Sequence, residues 1–310
     1  MSVKPGPFQA SSAVVPSSTG ERGVIQADGA ATETVVGTDA VGAAVEASHA
    51  RLPANWRRYL VRIAALVVAV MIWHLAAVND LNLYLRFENV PNPVVVGTEF
   101  IAQLSSQTFY LHILHSMERI AIAYGLAVVI GIALGVMMGR SRFAEDIILP
   151  YIEILRPIPA VAWIPLAILM MPTEQASIVF ITFLGALFPI VLNTVHGVEQ
   201  TPKVLVRAAR SLGASNAAIL RHVVLPGALP SIVAGLAIGM GVAWFSLLAG
   251  EIISGQYGIG YFTWSAYTLV EYPKIIIGML VIGGLGSLCT LLVRKGCAPL
   301  LRWQKEAGRS

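Results

Sequence analysis

Charged residues are scarce in this sequence. Asp, Glu, Lys and Arg make up 12% of its 310 residues, where soluble domains carry about 25%. With 56% hydrophobic residues the chain has too little polar surface to cover itself in water, so lipid is the expected solvent. Cysteine is almost missing. Cys289 and Cys297 alone exclude a disulfide framework, and their spacing excludes a C-x-x-C redox pair, so two free thiols in or beside lipid are expected. The phosphate-cradling loop G-x-x-x-x-G-K-[ST] occurs nowhere. The chain is therefore not its own ATPase, and any energy it uses comes from a partner or an ion gradient. Alternating segments of about 10 residues, the mark of a membrane β-barrel, do not occur either. Nor does a local Ser-His-Asp signature. His112 and His115 share a helix face but have no third ligand nearby, so no metal site is expected.

What the sequence does have is long apolar runs. A transmembrane helix needs roughly 20 apolar residues. Six windows meet or approach that length, at about 59–78, 114–138, 147–171, 176–196, 230–250 and 274–293. The third is irregular, with Pro157, Pro159, Pro165 and Pro172. Such prolines are tolerated where neighbouring helices or a cavity satisfy the freed backbone groups. The expected fold is an all-α membrane protein of six transmembrane helices. Residues 1–55, rich in Ala, Gly, Ser, Thr and Val without an amphipathic period, read as a disordered cytoplasmic tail and do not have the pattern of a signal peptide. Residues 56–296 form the membrane domain and 297–310 a second cytoplasmic tail.

The basic residues give an orientation. Cytoplasmic loops collect Lys and Arg. Arg51, Arg57, Arg58 and Arg62 precede or begin the first span, and Arg140 and Arg142 follow the second. Lys203, Arg207, Arg210 and Arg221 follow the fourth; Arg294, Lys295, Arg302, Lys305 and Arg309 follow the sixth. Only Arg86 and Lys274 fall on the other side. Both termini are expected in the cytoplasm. The net charge of +4 reports this topology and does not argue for a nucleic-acid partner.

Between the fourth and fifth runs stands RAARSLGASNAAILRHVVLPGALP, from Arg207 to Pro230. Thr201 suits an N-cap with Pro202 at the first helical position. Gly213 suits the left-handed residue that ends a helix, and Ser215 suits the cap of a second helix that Pro226 would close. Leu205, Ala208, Ala209 and Leu212 line one side of the first helix; Ile219, Leu220, Val223 and Val224 give the second an apolar side. From the residues alone two readings stay open: an amphipathic hairpin resting on lipid headgroups, or a docking element for a cytoplasmic partner.

The segment resembles the EAA loop of binding-protein-dependent ABC importer permeases. That pattern has Glu-Ala-Ala, three residues, Gly, then a hydrophobic residue, one residue and Leu-Pro. Ala208, Ala209, Gly213, Val223, Leu225 and Pro226 stand in register, with Arg207 where the pattern has Glu. ILRPIPAVAWIPL (154–166) and GLAIGMGVAWFSLLAGEIISGQYGIGYF (235–262) resemble the nitrate, sulfonate, taurine and bicarbonate branch of type I importers. The resemblance covers about residues 60–295. It implies the type I importer transmembrane-domain fold in a bacterial inner membrane, importing a small oxyanion. It further implies a coupling helix that seats in a separate ABC ATPase subunit, which holds ATP and Mg, an extracytoplasmic substrate-binding protein, and a second copy of the chain. The residues expected to couple are Arg207, Ala208, Ala209, Arg210, Leu212, Gly213, Ala214, Ser215, Ile219, Leu225 and Pro226. The alternative class is a secondary transporter or channel for a small anion, but no clear repeat is visible and few charges lie deep.

Charges and aromatics inside the spans supply the remaining candidates. Arg156, Trp163, Trp244, Ser246 and Glu251 lie on spans that line the pathway in similar permeases. Glu153 and Arg156, three apart, share a helix face and are expected to pair. Gly131, Gly135 and Gly139 recur every four residues in the second span, and Gly235, Gly239 and Ala243 in the fifth. Small residues at that spacing let helices pack closely in lipid. Val96, Phe100, Ile101 and Leu104 suggest an amphipathic helix after Pro91 and Pro93. Residues 251–273 read either as an outer gate or re-entrant turn, or as a plain loop.

Overall fold

The computed structural model describes residues 56–79 and 89–301. The tail expected over 1–55, Arg86, and residues 302–310 with Arg302, Lys305 and Arg309 lie outside the described residues. Residues 63 onward form one compact unit, and residues 56–62 belong to a separate one, in which the Arg62 guanidinium lies 5.9 Å from the centre of the Tyr59 ring.

Helices are the only regular structure among the described residues. In chain order they are α1 (Trp56–Val78), α2 (Pro93–Gln103), α3 (Gln107–Arg140), α4 (Arg142–Leu155), α5 (Ile164–Met170), α6 (Glu174–Glu199), α7 (Lys203–Ser211), α8 (Asn216–Ile219), α9 (Leu225–Ser254), α10 (Ile259–Thr268) and α11 (Tyr272–Cys297). Among the described residues five helical runs are long and apolar enough to cross a bilayer: Trp56–Val78, Gln107–Arg140, Glu174–Glu199, Asn216–Ile253 and Tyr272–Leu301. The irregular third window is a bent pair, Arg142–Leu155 and Ala160–Met170, set at 86° to one another. Pro157 and Pro159 supply no N–H after Arg156, so α4 stops and a turn of 3₁₀-helix at Ala160–Trp163 redirects the chain.

Local chemistry sets the helix starts. Asn92 accepts a hydrogen bond from the Val95 N–H, with Pro93 following as the first helical residue of α2. Thr173 caps α6 through the Ala176 N–H, and Ser141 caps α4 through that of Ala144. In α2, Val96 is buried and Phe100 half-buried, whereas Ile101 is exposed.

The core is built around α6, which makes its most extensive contacts with α3 on one side and α9 on the other. Glycine sets how close those helices come. A Cβ on Gly135 would lie 2.5 Å from Thr194 Cβ and 2.8 Å from the Val191 carbonyl oxygen. Gly131 meets Ile190 and Gly139 meets Val198 in the same way. On the other side of α6, Gly235 lies against Asn193 and the Pro189 carbonyl, and Gly239 against Ile190 and the Ala186 carbonyl. Backbones at this distance gain dispersion contacts that lipid tails cannot supply. Ala243 is fully buried in the same core.

Two local expectations change. Pro202, not Thr201, occupies the N-cap of α7, because the Thr201 hydroxyl is turned back to the Gly197 carbonyl. Pro226 does not close the second helix. A π-turn at Leu220–Val224 widens the ladder, with the Leu225 N–H reaching the Leu220 carbonyl, and the chain runs straight into α9. Pro226 falls in the first turn after that widening, where its missing N–H costs least.

Candidate functional site

The break between α4 and α5 borders a cavity of about 660 Å³. Its other walls are stripes on α6 and α9. Gly185, Phe188, Pro189, Leu192, Asn193 and His196 recur at helical spacing on α6, and Ile238, Val242, Phe245 and Ser246 do so on α9. Of the five pathway candidates, Arg156, Trp163 and Ser246 line this cavity.

Arg156 gives the cavity its charge. The expected pair with Glu153 is not among the ion pairs of the described residues. Both residues are exposed, and Arg156, at the C-cap of α4, lines the cavity. A cation at that end of a helix is favoured by the carbonyl dipoles, without help from a carboxylate. The Ser246 hydroxyl is fully buried against Gly185 and has no hydrogen-bond partner among the described residues. Asn193 Nδ2 donates to the Pro189 carbonyl at 2.8 Å, and His196 Nε2 lies 2.7 Å from Gln200 Nε2. The rest of the wall is apolar. One cation without a carboxylate partner among the described residues, on the wall of a largely apolar chamber, suits a small anion with hydrogen-bond acceptors.

Trp244 and Glu251 are not brought to this cavity. The Trp244 ring packs in the core, beside Gly286 of α11. Glu251, which has no exposed surface, is the centre of a buried polar network. Its Oε1 meets Arg119 Nη1 at 2.9 Å and accepts from the Ser116 hydroxyl at 2.8 Å; its Oε2 accepts from the Gly260 N–H at 2.9 Å. Arg119 also donates to Gln175 Oε1 at 2.6 Å and to the Tyr257 carbonyl at 2.5 Å. Gly258 has φ 126° and donates its N–H to His112 Nδ1 at 3.1 Å. Any side chain on Gly258 would collide with the Glu251 carboxylate. So 251–273 is not a plain loop. It contains a short helix, α10, whose entry is pinned by a carboxylate from the preceding span.

The segment after α6 forms a second candidate site. α7 ends in a Schellman motif: Gly213, at φ +79°, donates to the Arg210 carbonyl, and Ala214 donates to that of Ala209. Ser215 then caps α8 through the Ala218 N–H. The expected coupling residues divide by contact. Ile219 is buried, while Ala209 and Ala214 are half-buried against the core together with Val206. Leu225 and Pro226 are half-buried at the foot of α9. Arg207, Ala208, Arg210, Leu212, Gly213 and Ser215 are exposed. The apolar side expected on α7 therefore splits: Ala209 faces the core, while Leu205, 54% exposed, and Leu212, 88% exposed, do not.

Asn193, His196, Phe188 and Phe245 were not singled out in the sequence. The signal available was their helical spacing beside Pro189, but an apolar stripe on a span reads the same whether it meets lipid, protein or a cavity.

The profile described as "Binding-protein-dependent transport system inner membrane component" matches residues 127–296. The nitrate import permease protein NrtB of Synechocystis is 32% identical over 233 residues, 72% of this chain and 82% of that one. The taurine transport system permease protein TauC of Escherichia coli is 33% identical over 264 residues, 83% of this chain and 95% of its own. The bicarbonate transport system permease protein CmpB of Synechococcus elongatus is 38% identical over 189 residues, 61% and 66% of the two chains.

Proposed function

This chain belongs to the family of binding-protein-dependent transport system inner membrane components, and from that premise we propose that it is the permease through which an ABC importer moves a small oxyanion into the cell. The cargo class is nitrate, bicarbonate, taurine or another sulfonate, in keeping with the named relatives. The observation that carries this reading is Arg156, a cation with no carboxylate partner among the described residues, on the wall of the 660 Å³ cavity. A delocalised guanidinium matches a planar or tetrahedral oxyanion through two parallel hydrogen bonds.

The same reading assigns α7 and the turn at Gly213 to docking on a separate ATPase that binds ATP and Mg, with Leu205 and Leu212 as the apolar contacts. A binding protein delivers cargo at the opposite face, where α2 and α10 lie. The Lys and Arg distribution supports cytoplasmic termini.

The test is uptake by proteoliposomes holding the assembled importer, with labelled nitrate, bicarbonate and taurine each offered on its binding protein. One of the three should accumulate in an ATP-dependent way. Arg156→Gln should weaken that uptake by roughly tenfold or more, the size of one charge-assisted hydrogen bond. Uptake unchanged in Arg156→Gln would remove the cavity from the pathway.

A further inference from the structure

The ends of α3 and α6 beyond Met138 and Val198 border a second cavity, of about 710 Å³, which takes in Lys203 and Arg207 from the side of α7 opposite Leu205 and Leu212. Its floor includes Met138, Val198 and Val224, all buried. Its rim carries Arg140, Arg142, Lys203 and Arg207 against Glu145 and Glu199. Four cations against two carboxylates leave two positive charges in excess. None of the six side chains enters an ion pair among the described residues, although acid and base line the same space. The start of α7 adds to the field. Its N-cap is Pro202, which offers no side-chain acceptor, and Lys203 opens the helix on the cavity rim. Uncapped N–H groups at a helix start carry partial positive charge.

Depth decides what kind of anion fits. Arg140 and Glu199 are the last residues of two membrane-crossing helices, so the rim sits where a bilayer places its phosphates. The floor is apolar. A free phosphate would use the rim alone, whereas an amphiphile also covers exposed apolar surface beside it. Phe143, 76% exposed beside Arg142, and exposed Ile147 continue the apolar surface along α4. We infer that this cavity binds the headgroup of an acidic phospholipid, its phosphodiester among Arg140, Arg142, Lys203 and Arg207 and its apolar part along Phe143 and Ile147 of α4. The inference does not depend on the identity of the cargo.

The experiment is native mass spectrometry of the purified full-length protein offered equimolar phosphatidylglycerol and phosphatidylcholine. The protein should retain phosphatidylglycerol in preference. Arg142→Gln with Lys203→Gln should cut that preference roughly 30-fold, about fivefold for each cation removed. Arg142→Lys with Lys203→Arg should keep it. Arg294→Gln with Lys295→Gln, the same charge loss on α11, should leave it within about twofold. A thermal melt of each variant checks that the fold is unchanged, as expected for exposed positions. Equal preference in the Arg142/Lys203 glutamine variant overturns the inference, as does an equal loss from the α11 pair. Displacement of phosphatidylglycerol by millimolar inorganic phosphate would make this a site for a soluble anion and overturn it too. Lipid preference kept while ATPase co-purification is lost would make the cavity part of a protein interface, with the same consequence.

Discussion

At the scale of single residues, the network around Glu251 holds the most at stake. Arg119 and Glu251 lie 132 residues apart, both nearly or fully buried, and they are joined at 2.9 Å. A buried pair is weak evidence of net stabilisation, but breaking one is costly because the remaining charge is stranded. We expect Glu251→Ala to cost about 3–5 kcal/mol, with Arg119→Met in the same range. The double variant should cost less than the sum, since neither charge is then left alone. Thermal unfolding in detergent measures all three, and strict additivity would show that the two side chains do not act as a pair. The sequence displays both ionisable residues in or beside apolar runs, which marks them as worth explaining. It does not say that they meet, because nothing local links α3 to α9. Arg156 is the converse case. Its neighbour three residues away is a carboxylate, so local spacing suggests a pair, but none forms among the described residues.

At the scale of elements, α7 and its Schellman turn show how a helix can be fixed and still offer a face. Val206, Ala209 and Ala214 anchor it to the core, while Leu205 and Leu212 remain uncovered. An exposed leucine contributes little to the fold, and its replacement is expected to fall within about 0.5 kcal/mol. Leu212→Asp should therefore leave the melting temperature of the permease unchanged while reducing recovery of the ATPase with a tagged chain. Full recovery of the ATPase would take Leu212 out of the docking face. The turn was legible because glycine at φ > 0 followed by a serine cap is a local signal. The continuation of α8 into α9 was not. A proline after a short helix reads as a stop, and only the packing of Ile219 and Val224 into the core makes a π-turn the better solution.

At the scale of the molecule, apolar length, glycine spacing and basic loops made the class of fold legible, since each is a response to lipid that needs no tertiary knowledge. The cavity was legible only in part. Prolines announced the break at 157–159, but the walls come from helices distant in sequence. The chain supplies one set of spans, and closed two-fold symmetry is the commonest way to double it. Two copies per assembled importer are expected in native mass spectrometry, and one copy beside a different permease would refute this. The grip of α3 and α9 on α6 has a mechanical consequence. At Gly131, Gly135, Gly139, Gly235 and Gly239 the side chains of α6, Ile190, Asn193, Thr194 and Val198 among them, seat directly against the neighbouring helix backbone, so sliding one helix alone would break contacts along its whole length. The three are therefore expected to move as one body through a transport cycle, with the larger changes in the less tightly packed elements around them. Hydrogen exchange followed through turnover should find the amides of α6 slow in every state, with the α4–α5 elbow and α7 changing most.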